Sequence, residues 1–395
     1  MPADLWRRTS RSWGKRRTSS RVPRVVVRLG LVDPIAPHKT GQLLSKLGLA
    51  SLADLVLLAQ QCIRSGNWEQ ARDLCNAGVS RFGSDPAIDV ILAMVELGTG
   101  NSEKAGALLE EVRDRYPNHL VASYTAAWMS IERGQSAAAL QYLLEVVDRF
   151  PDYPGALGTL ASMLMPGPSY RDVLAYIHRT LKPNTYLEIG VETGATLRLA
   201  QTAKTIVGVD PNLDSIRRSE SLGQAILYGC TSDEFFEVQT QESVLENQPL
   251  DLAFIDGMHC YEFAIRDFWN IEKWAHSGTV VAIHDVLPIL PLVAERERST
   301  KFWVGDVWKA LWALLEFRPD LTISVIPTAP SGLAIIRGLD PNDTQNDSLR
   351  DVAISRYTEK LYPLDTPGNW PSHLPIAKNS THGWNEALGI VEVFR

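Results

Sequence analysis

Between residues 52 and 153 the chain repeats itself every 34 residues, and no other feature limits its possible folds so much. Gly66, Gly100 and Gly134 keep the interval, as do Ala59, Ala93 and Ala127, then Ala71, Ala105 and Ala139. The aromatic residues Phe82, Tyr116 and Phe150 form a fourth column, and Pro117 and Pro151 each follow the last aromatic of their unit. Small Ala side chains at fixed positions let two helices cross closely, and Gly opens the turn between them. Each unit therefore reads as helix–turn–helix, with an apolar face that only its neighbours can bury. Units at 52–85, 86–119 and 120–153 follow, and residues 154–165 read as a helix capping the last one.

These columns resemble the tetratricopeptide repeat, although the usual first-helix tryptophan and tyrosine are missing. The resemblance implies a scaffold or self-association surface, or a groove for a protein partner; no basic or aromatic ladder recurs on one column to favour the groove. Met165-Pro166-Gly167-Pro168 breaks the helical pattern and marks a linker.

A chain of 395 residues has room for at least one further domain. Its apolar runs are too short to span a membrane. Cys62, Cys75, Cys230 and Cys260 form no CxxC pair, which excludes a zinc ribbon and a disulfide framework and suits a reducing, cytoplasmic setting. The net charge of −7 is uneven: residues 1–30 carry nine Lys or Arg against Asp4 alone, which leaves −15 on the other 365. Residues 1–50 read as a basic, disordered leader. An acidic body argues against a nucleic-acid partner, because phosphate binding needs Lys and Arg on the working surface.

After Pro168 the pattern alternates between strand and helix. Strands are expected at 186–191, 205–209, 225–228, 250–255 and 279–283, with helices at about 195–203, 261–275 and 307–317. Two last strands, 321–326 and 333–337, are separated by six residues, too few for a helical crossover, so they should pair antiparallel. The inferred architecture is an α/β, Rossmann-like, mostly parallel sheet of seven strands with an antiparallel last strand. It spans residues 166–340 and follows the helical repeats of 51–165; residues 341–395 carry no readable motif.

The first strand runs into Glu188-Ile189-Gly190-Val191-Glu192-Thr193-Gly194. A dinucleotide site would need its second glycine at residue 192, where the backbone approaches a pyrophosphate. Glu192 stands there and would repel phosphates. A cofactor with a nucleoside, a positive charge and no phosphate suits it, which favours S-adenosylmethionine over a nicotinamide cofactor. Asp210 closes the second strand 20 residues after Gly190, where a carboxylate can accept from both ribose hydroxyls. After the third strand, Thr231-Ser232-Asp233 offers side chains for the adenine amino group or a helix cap.

Together these residues resemble the class I S-adenosylmethionine-dependent methyltransferases. The closer likeness starts at Tyr170 and Lys182–Val191, continues through Phe254-Ile255-Asp256-Gly257-Met258-His259-Cys260-Tyr261-Glu262 and Asp267, and ends with Ser277-Gly278-Thr279 running to His284-Asp285. This string resembles the branch of macrocin- and mycinamicin-type sugar O-methyltransferases, with catechol O-methyltransferase more distant. The resemblance implies a cofactor site built from Glu188, Gly190, Gly194, Asp210, Ser232 and Asp233. It implies a divalent metal, Mg²⁺ or Mn²⁺, at Asp256, His284 and Asp285, and catalysis by Asp256 with His259 as the base. Those relatives carry all-oxygen pairs where this chain has His284-Asp285, and a nitrogen ligand suits Mn²⁺, Fe²⁺ or Zn²⁺ better than Mg²⁺. His284 could instead hydrogen-bond Asp285 or the substrate. Trp303, Trp308 and Trp312 are candidates to line an acceptor pocket, or to pack in the core.

The expected activity is methyl transfer from S-adenosylmethionine to a hydroxyl of a small-molecule or sugar acceptor. The alternative is a repeat-based interaction scaffold carrying an inactive methyltransferase-like domain.

Overall fold

The computed structural model describes residues 51–217, 224–342, 346–363 and 366–390; the expected basic leader lies outside them. The chain divides between Leu157 and Gly158 into two units. Among the described residues no helix is long and apolar enough to cross a membrane.

The first unit holds α1 (Leu52–Arg64), α2 (Trp68–Phe82), α3 (Pro86–Gly98), α4 (Ser102–Arg115), α5 (Leu120–Glu132) and α6 (Ser136–Arg149), two helices to each 34-residue repeat. The sequence punctuates them. Ser51 caps α1 on the Asp54 amide, and Asp85 caps α3 on the Ala87 amide ahead of Pro86, each cap worth about 1 kcal/mol. The six alanines of the two repeat columns are no more than 1% exposed, as close helix crossings require. Gly66, Gly100 and Gly134 take φ of 78°, 88° and 71° with open space around them, so the backbone turn alone demands glycine there. The aromatic column does not share this burial: Phe82 and Tyr116 are exposed. α7 (Pro154–Leu164) runs across the division, with Ala156, Leu157, Leu160 and Ala161 fully buried.

The second unit opens with α8 (Tyr170–Leu181), started by a capping box between Ser169 and Asp172 just past the prolines of the linker. The sheet comprises β1 (Thr185–Ile189), β2 (Thr205–Val209), β3 (Ile226–Tyr228), β4 (Leu252–Ile255), β5 (Val280–His284), β6 (Thr322–Ile326) and β7 (Leu333–Arg337). Their order is β3-β2-β1-β4-β5-β7-β6. The first five strands pair in parallel, and β7 lies antiparallel to both β5 and β6, so the short final connection is a hairpin as its length requires. Strands β1, β4 and β5 are buried along their whole length, the mark of a parallel sheet covered on both faces. Helices α9 (Ser232–Val238), α10 (Tyr261–Glu272) and α11 (Trp308–Phe317) follow β3, β4 and β5.

The helix expected at 195–203 is a correction. A single 3₁₀ turn, Leu197–Leu199, stands there. Gly194 closes a tight turn onto the Val191 carbonyl, Thr196 is tied by its hydroxyl to Glu188, and Lys204 already donates to the Asn184 carbonyl. Tied at both ends by these bonds, the stretch forms the 3₁₀ turn in place of a helix. Residues beyond 340, without a motif in the sequence, complete the second unit. α12 (Asn346–Tyr357) is followed by Ile376, which bridges to Val325 beside β6. In α13 (Thr381–Leu388), Trp384, Ala387 and Leu388 join the core with Val173, Leu174 and Ile177 of α8.

Candidate active site

Parallel strand order reverses between β1 and β4, and ligands of such sheets settle at the strand carboxyl ends beside that point. Register places Ile189 opposite both Val209 and Ile255, so Gly190, Asp210 and Asp256 leave the sheet together. Gly190, at φ 87°, is pressed against β4: a Cβ there would stand 2.0 Å from the Asp256 carbonyl oxygen. Glu188, one strand position inward, is 0% exposed. Its Oε1 accepts from the Thr196 hydroxyl and its Oε2 from the Tyr186 hydroxyl, both at 2.6 Å. Burial pushes this carboxyl up to about 8, against the two hydroxyl bonds, and the Asp256 charge adds to the rise.

Asp210 binds the turn that follows β1. Its Oδ2 accepts from the amides of Val191 (2.9 Å) and Glu192 (2.8 Å), and its Oδ1 from that of Asn212 (2.7 Å). Gly194, at φ 72°, ends the same turn. Near β3, Thr231 rather than Ser232 caps α9, in a capping box with Glu234. Asp233 is engaged by both Nε and Nη2 of Arg266 on α10, at 3.0 and 2.7 Å. Ser232 hydrogen-bonds Asp267 on the same helix, whose other carboxyl oxygen is buried without a partner. Burial pushes Asp267 up to about 7, the Ser232 bond opposing it. The sequence singled out Asp267 only as part of a likeness; its burial shows in the structure alone.

At the ends of β4 and β5, Asp256, His259 and Asp285 each bring one ligand atom within 4.8 Å of the others, a spacing that could hold a metal ion. His259 Nδ1 lies 2.8 Å from Asp285 Oδ2, out of line for a hydrogen bond, and its Nε2 lies 3.9 Å from Asp256 Oδ1. Burial would lower the imidazole pKa, but Asp285 and Asp256 outweigh it and raise it to about 9. His284 is almost fully buried. Its Nδ1 sits 3.1 Å from Asp256 Oδ1 and 3.4 Å from Asp285 Oδ1, its Nε2 faces the Ser331 hydroxyl at 3.3 Å, and its ring stacks on Tyr170 with centroids 4.1 Å apart. Ser331 also donates to Asp285 Oδ1. Both nitrogens of His284 thus face protein partners, while His259 stands with the two carboxylates in the metal-competent group. Tyr170 and Ser331 carried no role in the sequence reading, and Ser331 lies in no pattern that could have flagged it.

The segment before α11 fixes His259 from the other side. Gly305, at φ 70°, lets the chain come so near that a Cβ would stand 1.8 Å from the His259 carbonyl oxygen. The Asp306 amide donates to that oxygen, and Asp306 Oδ1 accepts from the Tyr261 amide. Trp303 stacks on the His259 ring at 5.3 Å and 15°. Of the three tryptophans singled out, Trp303 alone meets a candidate catalytic side chain. Trp308 is buried and donates to the Ala294 carbonyl, and Trp312 packs edge-on against Trp308 and His373. Glu262 pairs with Arg296.

Residues 187–286 match a family model described as a methyltransferase domain, and residues 90–119 match one for the tetratricopeptide repeat. No curated protein sequence matches the chain. Among solved structures it is similar to the O-methyltransferase TomG from Streptomyces achromogenes, in complex with SAM, at 15% identity and a TM-score of 0.35, over 47% of this chain and 89% of that one. It is similar to an O-methyltransferase from Bacillus cereus in complex with SAH, at 15% identity and a TM-score of 0.34, over 50% and 90% of the two chains. The SAH-bound methyltransferase PaMTH1 from Podospora anserina gives 15% identity and a TM-score of 0.35, over 51% and 86%. The strand order and the family match agree on a Rossmann-like methyltransferase fold preceded by helical repeats.

Proposed function

We propose that this chain is an S-adenosylmethionine-dependent methyltransferase that acts on an acceptor hydroxyl. The observation that carries the reading is the convergence of Asp256, His259 and Asp285 at the strand carboxyl ends, beside the Gly190 turn, inside a segment matching a methyltransferase domain. In the proposed reaction the acceptor oxygen attacks the methyl carbon in line with the sulfur, and most of the rate comes from holding the three atoms in that line. The turn from Gly190 to Gly194, with Asp210 beside it, would seat the cofactor. Asp210 Oδ1 accepts from one amide, so it retains a lone pair for a ribose hydroxyl.

His259 would take the hydroxyl proton as the methyl group transfers. With both neighbouring carboxylates uncompensated it already holds a proton at neutral pH, which suits it poorly to that task. Asp256 and Asp285 fit a divalent cation in donor type and spacing, and such a cation would lower the acceptor hydroxyl pKa and draw the carboxylate charge away from His259. In this reading His284 holds the two carboxylates in place and is no ligand, its nitrogens facing Asp256 and Ser331.

The acceptor is proposed as a small molecule, with the repeats as a surface for a protein partner or a second copy. The test is calorimetric titration of the full chain with S-adenosylmethionine and with NAD, then transfer of a labelled methyl group to the small-molecule fraction of a cell extract. Binding of S-adenosylmethionine alone, with label appearing in the extract, supports the reading. Binding of NAD, or of neither, overturns it; binding without any transfer would favour the inactive scaffold.

A further inference from the structure

Glu188 is a carboxyl buried among hydroxyls, with a second carboxylate as its charged neighbour. The elements packed around it contribute hydroxyls, one amide and a negative charge. Tyr186 on β1 and Thr196 on the following turn donate their hydroxyls, and the Leu197 amide adds a backbone hydrogen bond. Asp256 at the end of β4 supplies negative charge, and His178 of α8 lies edge-on to the Tyr186 ring. His178 is itself buried with neither nitrogen hydrogen-bonded, and burial lowers it to about 4, so it brings no positive charge. Among the described residues no basic side chain pairs with Glu188.

A fully buried carboxylate without a counter-cation is costly, and a second carboxylate nearby makes it more so. Its uncharged form is favoured until a positive charge arrives. The turn above it, Gly190 to Gly194, is where the proposed cofactor sits, and that cofactor carries a sulfonium and an ammonium group against one carboxylate, a net positive charge.

We propose that Glu188 reads the charge of the cofactor: uncharged in the free protein, it gives its proton to solvent as the cation settles on the turn above it. This rests on the reading of the turn as an S-adenosylmethionine site. The hydroxyls of Tyr186 and Thr196 already donate to both carboxyl oxygens, so ionisation needs no rearrangement of the buried partners. When the methyl group leaves, the sulfonium becomes a neutral thioether and the cofactor's net positive charge goes with it, the ammonium being balanced by the carboxylate. Glu188 then takes a proton back, and the demethylated product is held less firmly than the substrate above neutral pH.

The experiment is calorimetric titration of the full chain with S-adenosylmethionine and with S-adenosylhomocysteine, each in two buffers of different ionisation enthalpy. With a free-protein pKa of about 8, S-adenosylmethionine affinity should rise up to about tenfold per pH unit below that point and level off above it. Close to one proton should be released near neutral pH, and fewer with S-adenosylhomocysteine. Glu188→Gln should lose that proton and the pH dependence that goes with it. Asp267 and His259 also titrate in this range and remain in the variant, so the difference between the two proteins isolates Glu188. Thr196→Val, which removes a bond favouring the ionised form, should move the dependence to higher pH; thermal melts without cofactor show whether each variant is folded. Equal proton release from the wild-type protein and Glu188→Gln, or an unmoved profile in Thr196→Val, overturns the inference while leaving the cofactor reading intact. No binding by the wild-type protein at any pH overturns both.

Discussion

The imidazole Nδ1 of His259 lies 2.8 Å from Oδ2 of Asp285, though the residues are 26 positions apart and both take left-handed backbone conformations, with φ of 57° and 65°. That region is uncommon for any residue but glycine, although Asp and His enter it more readily than most, and such conformations collect where a function needs a side chain aimed. Here they turn the ends of β4 and β5 toward each other. The result is a pair of carboxylates with an imidazole between them, and two further buried carboxyls, Glu188 and Asp267, lie on the neighbouring strand and on α10.

Replacing the imidazole separates chemistry from binding. His259→Asn should reduce the methyl-transfer step by about 10²–10⁴-fold, the usual worth of a positioned acid or base, with S-adenosylmethionine affinity changed little. Single-turnover rates alongside calorimetry check this. A variant that keeps its turnover removes His259 from the chemistry.

Cation binding should be visible on His259 directly. Charge on Asp256 and Asp285 holds the imidazole at about 9, so added Mg²⁺ should lower that value, as followed by ring-proton resonances. Asp256→Asn should abolish the response. Activity should fall with a chelator and return with Mn²⁺ or Mg²⁺. Full activity after exhaustive chelation would rule out the metal and leave His259 with the carboxylates alone.

Much of this was legible beforehand because the signals were periodic or structural in origin. The 34-residue columns yield six helices because each Ala column is a helix crossing and each Gly a left-handed turn. The six-residue gap before Leu333 admits a hairpin alone, and the hairpin is there. Asp256 and Asp285 end adjacent parallel strands, so their convergence follows from topology. What could not be read depended on single long-range contacts. Thr196 is held to Glu188, which leaves the apolar stretch after it a 3₁₀ turn. Ser331, 46 residues beyond Asp285, is brought to His284 by the β5–β7 pairing. Arg266 is brought to Asp233, a candidate for the adenine amino group or a helix cap, because α9 and α10 lie side by side. No local pattern announces any of these.

Asp267 makes stability depend on pH in a predictable direction. Its folded pKa, about 7, is above the ordinary value of 3.8, so the folded state binds the extra proton. The stabilisation it contributes is complete below that ordinary value and is lost as pH rises through about 7. Asp267→Asn keeps an acceptor for the Ser232 hydroxyl and cannot ionise. Its melting temperature should therefore gain on the wild-type protein as pH rises from 5 to 8, by thermal denaturation at matched ionic strength. A constant difference across that range would show that Asp267 is not protonated in the folded protein.

Two glycines of the second unit allow the support of His259 to be tested apart from backbone strain. Gly305 and Gly338 take φ of 70° and 86°, so alanine at either pays the left-handed penalty of about 1–2 kcal/mol. Their surroundings differ. Around Gly338 the nearest atom to an added Cβ is the Asp320 carbonyl oxygen at 3.4 Å, which is ordinary contact; at Gly305 it is the His259 carbonyl oxygen at 1.8 Å. Gly305→Ala must push residues 303–306 away from His259, parting the Asp306 amide from its acceptor and Trp303 from the imidazole. Gly338→Ala should cost about the backbone penalty and leave methyl transfer as it was. Gly305→Ala should cost more in denaturant melts, change Trp303 fluorescence and depress turnover well beyond any loss of cofactor affinity. If the two variants lose equal stability and turnover survives in both, the 303–306 segment covers His259 without holding it.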